Sequence, residues 1–227
     1  MGVHLQREIS GLKKEILTIG AMAEVSVREA AWAVERRDEA LARRVIEKDI
    51  KIDQMEVEVE EACLKILALH QPVAIDLRFI IAVLKINNDL ERIGDLAVNI
   101  AERAAFIATQ PRVHISFDFA YMARKTQEML NKSLDALVNM NTTLARKVCA
   151  YDDEVDAMYC QVYQILQEAI EAEPERTDTL IQLLSTARHL ERIADHATNI
   201  AEDVIYMIEG EIVRHKVEEY RPQVHHR

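Results

Sequence analysis

The stretch Asp89-Leu90-Glu91-Arg92-Ile93-Gly94-Asp95-Leu96-Ala97-Val98-Asn99-Ile100-Ala101-Glu102-Arg103 returns one hundred positions later as His189-Leu190-Glu191-Arg192-Ile193-Ala194-Asp195-His196-Ala197-Thr198-Asn199-Ile200-Ala201-Glu202-Asp203. Ten of the fifteen residues are identical, far above chance for one chain compared with itself, so the sequence is an internal duplication. Upstream, Leu41-Ala42-Arg43-Arg44-Val45 reappears as Leu144-Ala145-Arg146-Lys147-Val148 at an offset of 103. The drop in offset means that the second copy has lost three residues in between, which places a shorter loop at Pro174 than at Pro72.

Each copy reads as three helices. Five Gly and four Pro in 227 residues leave little punctuation, and apolar residues recur at helical rather than alternating spacing. Pro72, Pro111 and Pro174 fall where helices must stop, because proline lacks the amide donor and clashes with the preceding turn. Asp38 and its counterpart Asn141 are of the type that caps a helix N-terminus. The expectation is an all-α chain of two tandem three-helix bundles, with six long helices of roughly 25 to 33 residues at 1.5 Å per residue. The first bundle is expected over 1–110, the second over 111–214, and a polar tail over 215–227.

Composition excludes several function classes. With 39 acidic against 28 basic residues, the formal net charge is −11, and nucleic-acid binding, which neutralises phosphates with Lys and Arg, is not expected. The longest run without a charged residue, Ala157 to Gln167, is eleven residues, too short to span a bilayer. Arg7, Glu8, Lys13, Lys14 and Glu15 stand where a signal peptide would need an apolar segment, so none is expected. Cys63, Cys149 and Cys160 are odd in number and widely spaced, which fits a reducing cytoplasm better than a disulfide framework.

Duplication also filters candidate chemistry, since a feature kept in both halves has survived their divergence. Acid pairs pass. Asp49 and Asp53 in the second helix correspond to Asp152 and Asp156; Glu91 and Asp95 in the third correspond to Glu191 and Asp195. Each pair is spaced i, i+4 and shares one helix face, which Asn99 or Asn199 continues a turn later. Ile93, Leu96 and Ile100 form the opposite, core-facing stripe, so the acids are expected to face outward. Like charges at this spacing destabilise a helix, and a multivalent cation offsets that cost; carboxylates with amide support make a hard site suited to magnesium, manganese or ferric iron. The plain alternative is a solvated acidic face partly paired with Arg92, Arg192 or nearby lysines. Glu56 and Glu60 become Tyr159 and Tyr163 in the second half, so they read as surface acids. His196 reads as a satisfied packing histidine, the three cysteines as small buried hydrophobes, and Trp32 as core.

Together with the duplicated E-x-x-x-D elements, the segment Gln71-Pro72-Val73-Ala74-Ile75-Asp76-Leu77-Arg78 resembles the PhoU family, and the likeness runs along nearly the whole chain. The resemblance implies a homodimer in bacterial cytoplasm, with a multinuclear metal cluster on the carboxylate face of each bundle. By position, the implied ligands are Asp49, Asp53, Glu91 and Asp95, then Asp152, Asp156, Glu191 and Asp195, with Asn99 and Asn199 as weaker members. Iron is the metal expected first, since zinc held by oxygen alone runs against its preference for nitrogen and sulfur, with zinc, magnesium or manganese as alternatives. The second half departs from the family's loop, for Pro174-Glu175-Arg176-Thr177-Asp178 does not reproduce P-x-A-x-D-L-R.

For function, the resemblance implies no enzyme but a negative regulator of the phosphate-starvation response and of phosphate uptake. Its implied partners are the Pst phosphate ABC transporter, through the ATPase PstB, and the sensor histidine kinase PhoR, so that it meets the membrane only through them. A metal-free helical scaffold is one rival. A di-iron carboxylate enzyme is the other, but such sites use Glu-x-x-His with inward ligands, and none of the eight histidines has Glu three residues before it.

Overall fold

The computed structural model describes residues 2–210, so the tail expected over 215–227 lies outside the described residues. Six helices follow in order: α1 (Gly2–Arg36), α2 (Glu39–His70), α3 (Ala74–Thr109), α4 (Phe119–Asn139), α5 (Thr142–Ala172) and α6 (Thr177–Glu209), the last preceded by a single 3₁₀ turn, Pro174–Arg176. No strand occurs among the described residues, and the chain is two three-helix bundles in tandem.

The breaks follow local chemistry. Asp38 Oδ1 accepts from the Leu41 amide at 2.9 Å and Asn141 Oδ1 from the Leu144 amide at 3.0 Å, so the two predicted caps are made. Just before them, Arg37 and Met140 take left-handed φ values of 56° and 50°, which end α1 and α4 with the same turn. The Arg37 side chain then crosses to the end of α3, where its guanidinium donates to the carbonyls of Ile107, Ala108 and Gln110, the first of which also accepts the Gln110 amide. Helix lengths depart from expectation at three places. α1 and α3 reach 35 and 36 residues, and α4 has only 21, because α3 runs on to Thr109 and α4 does not start until Asp118 caps it.

The third helices, α3 and α6, pack against each other at the centre, and α1 meets α4 beside them. Gly20 of α1 lies so close to α4 that a Cβ there would stand 2.7 Å from the Leu134 side chain. Ile93, Leu96 and Ile100 are buried as their stripe predicts. The joint between the bundles also carries charge. Asp89 Oδ1 meets His196 Nδ1 at 2.7 Å and accepts from Asn199 Nδ2 at 3.3 Å, and Lys85 Nζ pairs with buried Asp203 at 3.1 Å. His196 is thus a satisfied histidine, as read. Two other expectations fail. Trp32 is 38% exposed under the guanidiniums of Arg28 and Arg36, a cation–π arrangement that suits the surface, and Cys160 is exposed, although Cys63 is buried.

Candidate metal centres

Helix periodicity places Glu91 and Asp95 on one face of α3, and α2 lays Asp49 and Asp53 against it. The acids face solvent only in part: Asp53, Asp156 and Asp195 are exposed as expected, the others half-buried. They sit in the seam between the second and third helix of each bundle, with Asp49 and Asp152 half-buried and Asp53 and Asp156 exposed.

Close approach of the helices explains the burial of Asp49. A Cβ on Gly94 would stand 2.8 Å from Asp49 Oδ1 and 3.3 Å from Ile52, so only glycine leaves room for the carboxylate in its present place. That Oδ1 is buried without a hydrogen-bond partner among the described residues, whereas Oε2 of Glu91, also without a hydrogen bond, has Arg92 Nε at 3.4 Å. Burial first, then the charges of Asp53, Asp95 and Glu91, pushes the Asp49 carboxyl up to about 6. Glu91 is raised as well, again by burial first and Asp95 second. Arg92 lies 3.4 Å from both Glu91 and Asp95, but its side chain is 53% exposed and relieves the crowding only in part.

The second seam repeats the acids with a different neighbour. Carboxylate oxygens of Asp152, Asp156 and Asp195 all lie within 4.8 Å of one another. Burial, then Asp156 and Asp195, raises Asp152 to about 6; burial, then Glu191 and Asp156, raises Asp195 to about 6. Glu191 and Asp156 are also raised, chiefly by burial. Thr198 Oγ1 donates to Asp152 Oδ1 at 3.2 Å, whereas the first seam has Val98 at the matching position.

A metal fits this donor set. Oxygens about 2.2 Å from one shared cation stand up to about 4.4 Å apart, so small side-chain turns would let Asp152, Asp156 and Asp195 share an ion. An orphaned buried carboxylate oxygen costs free energy that a cation recovers. The asparagines are placed differently from the acids: Asn99 Nδ2 donates to its own helix at Asp95 O, 2.8 Å, and Asn199 turns to Asp89 across the bundle joint. Thr198 is the residue that sequence reading misses. Its signal was present one position before Asn199, but the duplication filter discards it because Val98 has no hydroxyl.

The match to known proteins covers both bundles. Residues 16–104 and 119–204 each fit the PhoU domain. The chain belongs to the PhoU family. It is 39% identical over 212 residues to the phosphate-specific transport system accessory protein PhoU homolog of Aquifex aeolicus, covering 93% of this chain and 96% of the relative. To the homolog of the same description in Pseudomonas aeruginosa it is 37% identical over 211 residues, 92% of this chain and 86% of that one. Among solved structures, PhoU from Pseudomonas aeruginosa superposes with a TM-score of 0.87 at 35% identity, covering 91% of this chain and 99% of the other. The phosphate transport system regulatory protein PhoU from Streptococcus pneumoniae gives 0.82 at 28% identity, covering 92% and 99%. As a PhoU family member the chain carries its acids at matching positions in two helical seams, and among the described residues no helix is long and apolar enough to cross a membrane.

Proposed function

We propose that this protein is an accessory regulator of a phosphate-specific transport system, holding the phosphate-starvation response off and restraining phosphate uptake when phosphate is plentiful. It acts in the cytoplasm as a homodimeric adapter between the Pst transporter, through its ATPase PstB, and the sensor kinase PhoR. Its two carboxylate seams hold multinuclear metal clusters, with iron the first choice and zinc, magnesium or manganese behind it. Support for the accessory role comes from the family to which the chain belongs, whose matched relatives are described in those terms over nearly their full length. A single observation carries the metal reading: the same four acids crowd each seam, and in the first seam Oδ1 of Asp49 is buried without a hydrogen-bond partner among the described residues.

Regulation through rigid helices suits this architecture, because long faces present side chains to partner helices. The metal-free scaffold has one observation in its favour, the contact of Arg92 with both Glu91 and Asp95. Metal analysis of protein purified without added metal decides between the two. Several equivalents, halved by Asp49→Asn/Asp95→Asn and halved separately by Asp152→Asn/Asp195→Asn, are expected; negligible metal throughout favours the scaffold. Co-purification of the transporter ATPase and the kinase with the full chain tests the adapter role.

A further inference from the structure

α2 presents three large apolar residues to solvent at intervals of seven: Ile50 is 61% exposed, Val57 51% and Leu64 54%. Residues seven apart drift by only about 20° around a helix, so the three form one nearly straight stripe about 21 Å long. Single exposed hydrophobics need no explanation, but an aligned row with a groove beside it does. That groove, of about 640 Å³, runs between α1 and α2 and is lined by Ala21, Met22 and Val25 on one side and Ile50, Lys51 and Gln54 on the other. The duplicated unit does not repeat the stripe: its counterparts on α5 are Asp153, Cys160 and Gln167. Something specific to the first bundle therefore keeps it.

The charge around the stripe selects the occupant. Between Glu47 and Glu61, α2 carries seven carboxylates against Lys48 and Lys51, and Lys48 is already paired with Glu29 at 2.8 Å. Metal in the neighbouring seam would neutralise Asp49 and Asp53, but Glu47, Glu58 and Glu61 lie by helical spacing on the α1 side and stay charged. A second copy docking here would set acidic rim against acidic rim, and an anionic lipid surface would be repelled in the same way. We propose that the α1–α2 face of the first bundle is the docking surface for a basic amphipathic helix of a partner protein, its apolar side on Ile50, Val57 and Leu64 and its Lys or Arg residues on the carboxylate rim. That the partner belongs to the transport or signalling machinery rests on the function proposed above; acceptance of such a helix does not.

The test uses the full chain and a synthetic leucine–lysine amphipathic helix of about 18 residues, long enough to cover the stripe at 1.5 Å per residue, read by fluorescence anisotropy. Affinity is expected to fall at least tenfold in Val57→Ser/Leu64→Ser, to fall with added salt, and to be unchanged in Gln167→Ser on α5. All three sites are exposed, so the variants keep their cores. No binding to the unaltered chain, or equal binding by Val57→Ser/Leu64→Ser, overturns the proposal. So does self-association, or adsorption to phosphatidylglycerol vesicles, that the same double substitution abolishes. Co-purification from cells separates the two readings: loss of transporter or kinase components from Val57→Ser/Leu64→Ser supports docking at this face, and their retention overturns it. Failure of the unaltered chain to bring down any such component defeats the adapter reading while the peptide result stands.

Discussion

Asp49 and Gly94 are fitted to each other: Oδ1 of the aspartate stands 2.8 Å from the place where a Cβ on residue 94 would be. The second half has Ala194 at that position, so the two seams are alike in acids and different in the residue beside the leading aspartate. Gly94→Ala separates stability from site geometry. In a helix interior, alanine gains about 0.5–1 kcal/mol over glycine, while the intruding atom is the end of a side chain that can swing away. The expected outcome is a variant at least as stable as the parent in urea unfolding, with metal affinity lowered in the first seam and unchanged in the second. A clear loss of stability would mean that Ile52 and the backbone, and not Asp49, take up the strain.

The pH response follows from the same crowding. Asp49, Asp152 and Asp195 titrate near 6 in the folded chain against an ordinary 3.8. Their folded forms bind more protons than the unfolded chain between those values, so stability without metal is greatest, as far as these groups decide it, below about 4 and is lost as pH rises through 6. Melting of metal-free protein is expected to show a fall in Tm from pH 5 to pH 7 that shrinks in Asp49→Asn/Asp152→Asn. Metal binding has the opposite slope, because protons compete for the same oxygens. Chelator competition at pH 5.5 and 7.5 therefore gives weaker binding at the lower pH, and a flat profile removes these carboxylates from the ligand set.

Thr198 gives the second seam a donor that Val98 denies to the first. Groups that hydrogen-bond to a ligand orient it, and losing one commonly costs 10- to 100-fold in metal affinity. Thr198→Val keeps the shape and removes the 3.2 Å bond to Asp152. Affinity of the second seam is expected to fall about tenfold, as read by metal titration in an Asp49→Asn/Asp95→Asn background that silences the first seam. Unchanged affinity would show that Asp152 is held in place by packing alone.

How much of this was visible in the sequence depended on whether the determining interaction lies within one helix or between helices. The acid pairs, the caps Asp38 and Asn141 and the stripe Ile93, Leu96 and Ile100 are set by spacing along one helix, and the duplication states them twice. The seam position of Asp49 is not of that kind. It depends on the contact between α2 and α3, where the missing Cβ of Gly94 leaves room for the carboxylate. Asp89 and His196 were read separately, because their contact crosses from one copy to the other, and no within-copy comparison reports it. Trp32 failed for a related reason: Arg28 and Arg36, a turn away on either side, make its ring a surface platform, and apolar periodicity does not register cations.

The joint between the bundles gives the last prediction. Asp203 has 2% of its side chain exposed and faces Lys85 at 3.1 Å, and the same ammonium lies 5.2 Å from the centre of the Tyr206 ring. Removing one member of a buried pair costs about 3–5 kcal/mol when both are fully buried. Lys85 is 38% exposed, so water recovers part of that, and Lys85→Met is expected to cost about 1–3 kcal/mol in urea unfolding. Lys85→Arg keeps the charge and costs less. The loss should be concentrated at the α3–α6 contact, where hydrogen exchange of the two helices is expected to quicken together while α2 and α5 keep their protection. If Lys85→Met is neutral, the joint is held by its apolar side chains and the ion pair only sets its register.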